Sequence, residues 1–306
     1  MTRKHKSPHV IDSVAALHSA FGLPKPEHPL VSVMNFEKVS FTVSDVWDHF
    51  VINLYCVAIK KGINGKMKYG QTYYDFDEGV MTMTAPKQVM SITNTDEIAV
   101  SGYLIYFHPD FLQGYPLMKT IKEYGFFSYE LHEALLLSAK EEESIIRIMK
   151  EVEQEYHQAI DRFSQDVIIS HIELLLVYAN RFYNRQFITR KNLNHDMLSK
   201  LEALLEEYFN GDKVGEMGLP TVKYISDQLN VSPGYLSDLL KNLTGQTTQQ
   251  HIHDKVIDKA KEILSTTSLS VSEIAYRLGF EYPQSFNKLF KSKTNVSPLE
   301  FRQSVN

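Results

Sequence analysis

Gln284, Asn287 and Lys288 carry the side chains in this sequence best suited to reading the hydrogen-bonding edges of another molecule. Steps of three and four residues put them on one face of a helix. From there an amide can pair with adenine, and an ammonium can donate to O6 and N7 of guanine. Fifty residues upstream, Gly234, Ser237 and Asp238 occupy the same three positions. Beside the triplets stand Tyr235 and Lys241 in the first copy, and Ser285 and Lys291 in the second, whose groups suit phosphate oxygens better than base edges. Asp238 departs from this chemistry, because phosphate repels a carboxylate. Two readings of it stand open: it accepts from cytosine N4, or it weakens the first triplet and leaves the second to carry most specificity.

The elements that position these side chains are spelled out twice. Residues 221–302 contain one helical module in two copies, aligned if a residue is inserted ahead of the second long helix. Asn230 matches Gly279 between the short and long helices, and Gly245 matches Asn295 after the long helix. Gly and Asn accept a left-handed backbone at least cost, so both junctions predict the same sharp geometry. Pro233 and Pro283 fall in the first turn of each long helix, where a missing N–H costs nothing. Ser232 is placed to cap the first. Thr247-x-x-Gln250, Ser270-x-x-Glu273 and Ser297-x-x-Glu300 are capping-box patterns. Ile225, Leu229, Leu236, Leu239, Leu240, Ile274, Leu278, Phe286, Leu289 and Phe290 are the predicted core. Each copy reads as a helix-turn-helix, which lays its second helix in a DNA groove.

At these residues the chain resembles the AraC/XylS family of bacterial transcription regulators. The stretch Val271-Ser-Glu-Ile-Ala-Tyr-Arg-Leu-Gly-Phe-Glu-Tyr-Pro-Gln-Ser-Phe-Asn-Lys-Leu-Phe-Lys, ending in Val296-Ser-Pro-Leu-Glu-Phe-Arg302, carries the resemblance over roughly the last quarter of the chain. It implies a helix joining the modules, at about His253–Ser265, and docking in successive major grooves.

Composition frames the rest. A chain of 306 residues with 43% hydrophobic residues can bury two cores. Its one cysteine, Cys56, excludes a disulfide framework and a cysteine-based metal cluster, and suits a reducing cytoplasm. No apolar run approaches the roughly 18 residues needed to span a bilayer, and the basic N-terminus is not a signal peptide. From residue 221 onward ten Lys/Arg stand against eight Asp/Glu, within a chain of net charge −5. DNA affinity therefore has to come from the placement of Lys288, Lys291 and Lys293 on one helix rather than from bulk charge.

Residues 29–108 hold short β-rich runs, among them Val31–Phe36, Val51–Ile59, Val80–Thr84 and Gly102–His108. Punctuation at Gly62–Gly65, Asp75–Gly79 and Ala85–Pro86 separates them. Such a pattern suggests a small barrel or sandwich. The stretches Asp77–Pro86 and Tyr103–Leu112 are similar to the cupin-like sensor of AraC-type regulators, which implies a pocket for a small-molecule effector. Phe50, Ile52, Leu54, Cys56 and Ala58 share one face of the 50–60 run, and Val51, Asn53, Tyr55, Val57 and Ile59 the other. If the second face lines the lumen, Asn53 and Tyr55 become polar anchors, with Trp47 and Tyr103 as further candidates. Cupins often hold a metal, but His49, Gln88 and His108 do not make the two or three imidazoles plus carboxylate that such a site needs. No metal, cofactor or catalytic constellation is predicted, and the chain is not read as an enzyme.

Between barrel and modules, Ile168, Ile172, Leu175, Ala179 and Phe182 recur at alternating steps of four and three, the spacing of a helix–helix seam. This stripe either packs inside one subunit or makes a homodimer interface. The expected α+β organisation is an N-terminal arm (1–28), a cupin-like β-barrel (29–116), a helical dimerisation segment (117–209), a flexible linker (210–220) and an all-α tandem helix-turn-helix domain (221–306). The function read from it is a cytoplasmic, sequence-specific regulator of double-stranded DNA. It is dimeric, effector-responsive and, if an activator, in contact with RNA polymerase. The alternatives are an effector-independent DNA-binding protein whose N-terminal part serves only oligomerisation, and a cupin-type enzyme tethered to DNA.

Overall fold

A computed structural model describes residues 8–36, 50–61, 63–69, 72–76, 79–90, 101–130, 133–189, 191–211 and 213–305. The chain divides into two units, Met1–Gln186 and Phe187–Asn306.

In the first unit, strands β1 (His9–Ile11), β2 (Val31–Asn35), β3 (Phe50–Ile52), β4 (Tyr55–Lys61), β5 (Ile63–Tyr69), β6 (Thr72–Phe76), β7 (Val80–Thr84), β8 (Gln88–Met90), β9 (Ser101–Phe107) and β10 (Leu135–Leu136) accompany helices α1 (Val14–Ala20), α2 (Leu117–Thr120) and α3 (Ala139–Tyr156). The strands form three separate sheets ordered β1-β3-β8, β10-β7-β4-β9-β2 and β5-β6. Among the described residues no closed barrel is formed, so the architecture is coarser than the cupin expectation: a mixed helix-and-sheet unit. Two local expectations also change. Ile63–Gly65, expected in a turn, lies in β5. The expected continuous 50–60 strand breaks at Asn53, where its N–H donates to Ile11 O (2.8 Å) and the chain passes from one sheet to another.

The alternation survives that break. Phe50, Ile52, Leu54, Cys56 and Ala58 point into one core with Met34, Phe36, Leu104, Tyr106 and, from β1 and α1, Ile11, Val14 and Leu17. Burial pushes the Cys56 thiol up to about 12, so it is a packing group there and not a nucleophile. On the opposite face Val57 and Ile59 are fully covered, and Val51, Asn53 and Tyr55 are half-buried.

Helix α4 (Ser164–Thr189) carries the expected seam. Ile168, Ile172, Leu175, Ala179 and Phe182 are each no more than 7% exposed within the single chain. The stripe is intramolecular core and has no surface left to offer a second subunit.

The second unit is helical: α5 (Lys191–Asn210), α6 (Lys213–Met217), α7 (Val222–Leu229), α8 (Pro233–Thr244), α9 (Thr248–Thr266), α10 (Val271–Arg277), α11 (Pro283–Thr294) and α12 (Pro298–Val305). The glycine-rich 210–220 stretch contains α6, and Tyr208 donates to Gly218 O (3.0 Å), so it is folded against its own unit. The module's third helix and the connecting helix prove to be one element, α9. No Gly or Pro interrupts it, and its Ile252, Val256, Ile257, Ala260 and Leu264 form one buried stripe.

Capping follows the sequence closely. Thr247 with Gln250, and Ser270 with Glu273, form complete capping boxes, and Ser232 accepts from Tyr235 N (3.2 Å). Ser297 and Glu300 exchange the same pair of bonds. Asn230, Gly245, Gly279 and Asn295 all have positive φ. Of the ten predicted core residues, Leu229 and Leu289 are half-buried and the others are buried.

Gly279 carries a second constraint, because a Cβ there would lie 2.7 Å from Gly218 C. Replacing Gly279 by Ala is therefore expected to cost about 2–4 kcal/mol, from the left-handed penalty and the overpacking together. Asn230→Gly relieves the same conformation without a clash and should change stability by less than about 0.5 kcal/mol. Urea denaturation of the two variants checks both values; equal effects would mean that the close approach at Gly218 relaxes freely.

Candidate nucleic-acid interface

Because the modules are repeats, equivalent positions on the two long helices can be compared directly. On α11, Gln284, Ser285, Asn287, Lys288 and Lys291 are all exposed, and Phe286 and Phe290 on the opposite side are fully buried. On α8, Gly234, Tyr235, Ser237 and Asp238 are only half-buried, and Lys241 alone of that set is exposed. Specific contacts account for part of the difference. The Ser237 hydroxyl lies 3.0 Å from that of Thr248 on α9. The Tyr235 ring packs edge-on against Phe187, with centroids 5.4 Å apart. The second helix thus presents a polar, cationic face, and the first presents a partly covered one.

The two helix starts differ as well. Ser232 caps α8 with its hydroxyl, but Tyr282 at the start of α11 makes no side-chain capping bond and is 66% exposed; its backbone O accepts from Ser285 N (3.0 Å). Tyr276, on the preceding short helix, is 58% exposed. These two aromatics flank the polar face and were passed over in the sequence. Their signal was there: both fall outside the apolar stripe of their module.

Lys293, expected to add to the cationic face, is committed elsewhere: its ammonium donates to Asp254 Oδ1 on α9 (2.6 Å). The opposite side of α9 is tied to α5. Glu206 accepts from Lys255 and lies 3.4 Å from the Lys259 ammonium, and the Lys255 bond foremost holds its carboxyl down at about 2. Arg302 of α12 donates to Leu269 O (2.6 Å) and Leu264 O (3.3 Å), closing the last helix over the end of α9.

Three of the four suggested effector anchors lie among the described residues. Trp47 lies outside the described residues, as does His49. Asn53 sits at the β3–β4 junction. Tyr55 stacks on Phe107 and meets Phe127 edge-on, both at 5.2 Å, on the face away from the core beneath α1. Tyr103 accepts from Asn35 Nδ2 (3.5 Å) and pairs with Ile59, four residues along β4 from Tyr55. That separates the two tyrosines by about 13 Å, too far for one small pocket. His108 Nδ1 accepts from Asp110 N (3.1 Å), a local cap. Among the described residues no group of three or more His, Cys, Asp and Glu is arranged to hold a metal, and no helix is long and apolar enough to cross a membrane.

Comparison with known proteins fits this geometry. A family model described as a helix-turn-helix domain matches residues 225–304. The HTH-type transcriptional activator RhaS of Salmonella schwarzengrund is 31% identical over 136 residues, 44% of this chain and 46% of that protein. RhaS of Escherichia coli O1:K1 is 27% identical over 215 residues, 69% of this chain and 71% of that protein. The first match thus spans about half of its relative's length. Among solved structures, the C-terminal domain of the response regulator yesN from Fusobacterium nucleatum is 31% identical, covering 33% of this chain and 93% of its own, with a TM-score of 0.30.

The depressed Glu206 carboxyl has a pH consequence. A carboxylate held at about 2 against an ordinary 4.5 contributes stability above pH 4.5, which is lost as the pH falls from there towards 2. Glu273 and Glu300, held low by their capping partners Ser270 and Ser297, act in the same direction. Thermal melts of Glu206→Gln should fall less steeply than those of the parent over that window and converge with it at the acid end. Parallel curves across the window would show that the Lys255 pairing does not persist in solution.

Proposed function

We propose that this chain is an AraC/XylS-type helix-turn-helix transcription regulator and that it reads DNA through its two repeated modules. It binds double-stranded DNA with α8 and α11 in successive major-groove segments, and α11 carries most of the base specificity. The observation that supports this most directly is the exposure of Gln284, Asn287 and Lys288 beside half-burial of Gly234, Ser237 and Asp238. Gln284 and Asn287 suit adenine, and Lys288 suits guanine. Ser285 and Lys291 grip phosphate. On α8, Tyr235 and Lys241 serve chiefly as phosphate contacts, and Asp238 lowers the affinity of that module instead of selecting a base. Activation is what the relatives' names suggest for the output; RNA polymerase as its partner and the cytoplasm as its location belong to this proposal.

We also propose that the working form is a homodimer, through a surface other than the buried seam. Phe163, just ahead of α4, and Val167, Leu174 and Val177 on it are exposed apolar residues at steps of four, seven and three, with Ser170 and Arg181 completing a second heptad stripe. Read antiparallel about a two-fold axis, this stripe is self-complementary. Val167 meets Val177, and Arg181 comes towards Asp161 and Asp166 of the other copy. For the N-terminal unit the effector-responsive reading competes with a scaffold that only oligomerises. The apolar filling of the core beneath α1 favours the scaffold. Gln88 favours an effector, because its Oε1 is buried with no hydrogen-bond partner among the described residues. A small molecule that shifts DNA affinity would decide for the effector.

The DNA reading is tested on a duplex selected from a random library by the parent protein. Gln284→Ala with Lys288→Ala should cost roughly 100-fold in specific affinity, and Ser237→Ala with Asp238→Ala less than about 5-fold. Lys291→Ala should lower the salt slope by about 1 without changing sequence preference. An α11 double variant that binds like the parent sinks the assignment. For the dimer, Leu174→Arg with Val177→Arg should sediment as a folded monomer, whereas Ile172→Ala should lose about 2–5 kcal/mol of stability at unchanged oligomeric state. A dimer that survives the double arginine variant must use another surface.

A further inference from the structure

One carboxylate in the second unit touches both halves of the repeat. Asp254 lies on α9, between the two modules. Its Oδ2 accepts from Gln246 Nε2 (2.8 Å), the residue just past the left-handed exit of α8, and its Oδ1 accepts from Lys293 Nζ (2.6 Å) in the last turn of α11. The ends of both recognition helices are thus fastened to one side chain. The repeat does not generate this arrangement. The position matching Lys293 in the first module is Leu243, and the one matching Gln246 in the second is Val296, neither of which can make such a bond.

Apolar packing along α9 holds the modules together, but it is non-directional and tolerates small rotations. A carboxylate shared between an amide and an ammonium is directional, because each bond weakens steeply away from its preferred angle. We infer that Asp254 is a positioning residue that sets the rotation of α11 relative to α8, and with it the spacing of the two DNA segments that one chain accepts. The clasp also withholds the Lys293 charge from phosphate. Asp254 touches no base; it selects among sites by their spacing. The inference rests on the tandem-docking reading proposed above.

The test uses the full-length protein, Asp254→Asn and Lys293→Met on one set of duplexes. The parent's selected site is mapped by footprinting, and base pairs are then added or removed singly between the two protected groove segments. Both variants, folded by circular dichroism, are expected to reduce the parent's penalty for a one-base-pair change by about three- to fivefold, the scale of a partly exposed ion pair. Asp254→Asn alone should also steepen the salt dependence by about one unit of slope, since it frees Lys293 to meet phosphate. Loss of general stability would weaken binding to every duplex equally and leave the spacing penalty untouched. The inference is overturned if both variants keep the parent's penalty, or if the parent protects a single groove segment or shows no spacing preference. A parent that selects no duplex at all refutes the DNA-binding reading itself, and this inference with it.

Discussion

The second unit depends on burying the apolar stripe of α9. A helix-turn-helix of about forty residues is too small to hold a stable core by itself. Ile252, Val256, Ile257, Ala260 and Leu264 give both copies one core to share. The α5–α9 ion pairs fasten that helix from one side, and the Arg302 bonds close it from another. Capping boxes at the starts of α9, α10 and α12 satisfy backbone donors that no tertiary contact reaches. With α9 fixed, the two recognition helices become projections from a single rigid element, and their geometry towards a duplex follows from it.

Duplication turns the unit into its own control. The two long helices have the same length, the same proline near the start and the same left-handed exit. They differ in what covers them. Phe187 and Thr248 engage side chains on the first, and the second stands clear. On the proposed docking, unequal exposure of a shared backbone divides the work between base reading and backbone anchoring, and Asp238 weakens the first module because phosphate repels its carboxylate.

Much of the C-terminal half was legible because its signals are local. Positive φ at Asn230, Gly245, Gly279 and Asn295 follows from the residue types alone, and each capping box is complete within four residues. Legibility fails where a side chain has two possible partners. The stripe from Ile168 to Phe182 has the period of a seam, and period cannot say whether the facing helix belongs to the same chain. The alternation from Phe50 to Ile59 is real, but both faces are at least half-buried, so alternation does not say which one lines an interior. Lys293 reads as a free cation until Asp254, thirty-nine residues earlier, is seen beside it.

The sequence alone determined the duplicated module, its turn geometry and its caps, because these depend on steric and hydrogen-bonding rules that act over a few residues. Tertiary structure alone decided the rest. It showed that the 50–60 run divides between two sheets, that the α4 seam is internal, that one triplet is covered and the other free, and that a single carboxylate joins the two modules. Each of these turns on which distant surface arrives first at a given face. Burial rewards any apolar partner alike, so local pattern leaves that choice open and the folded chain makes it.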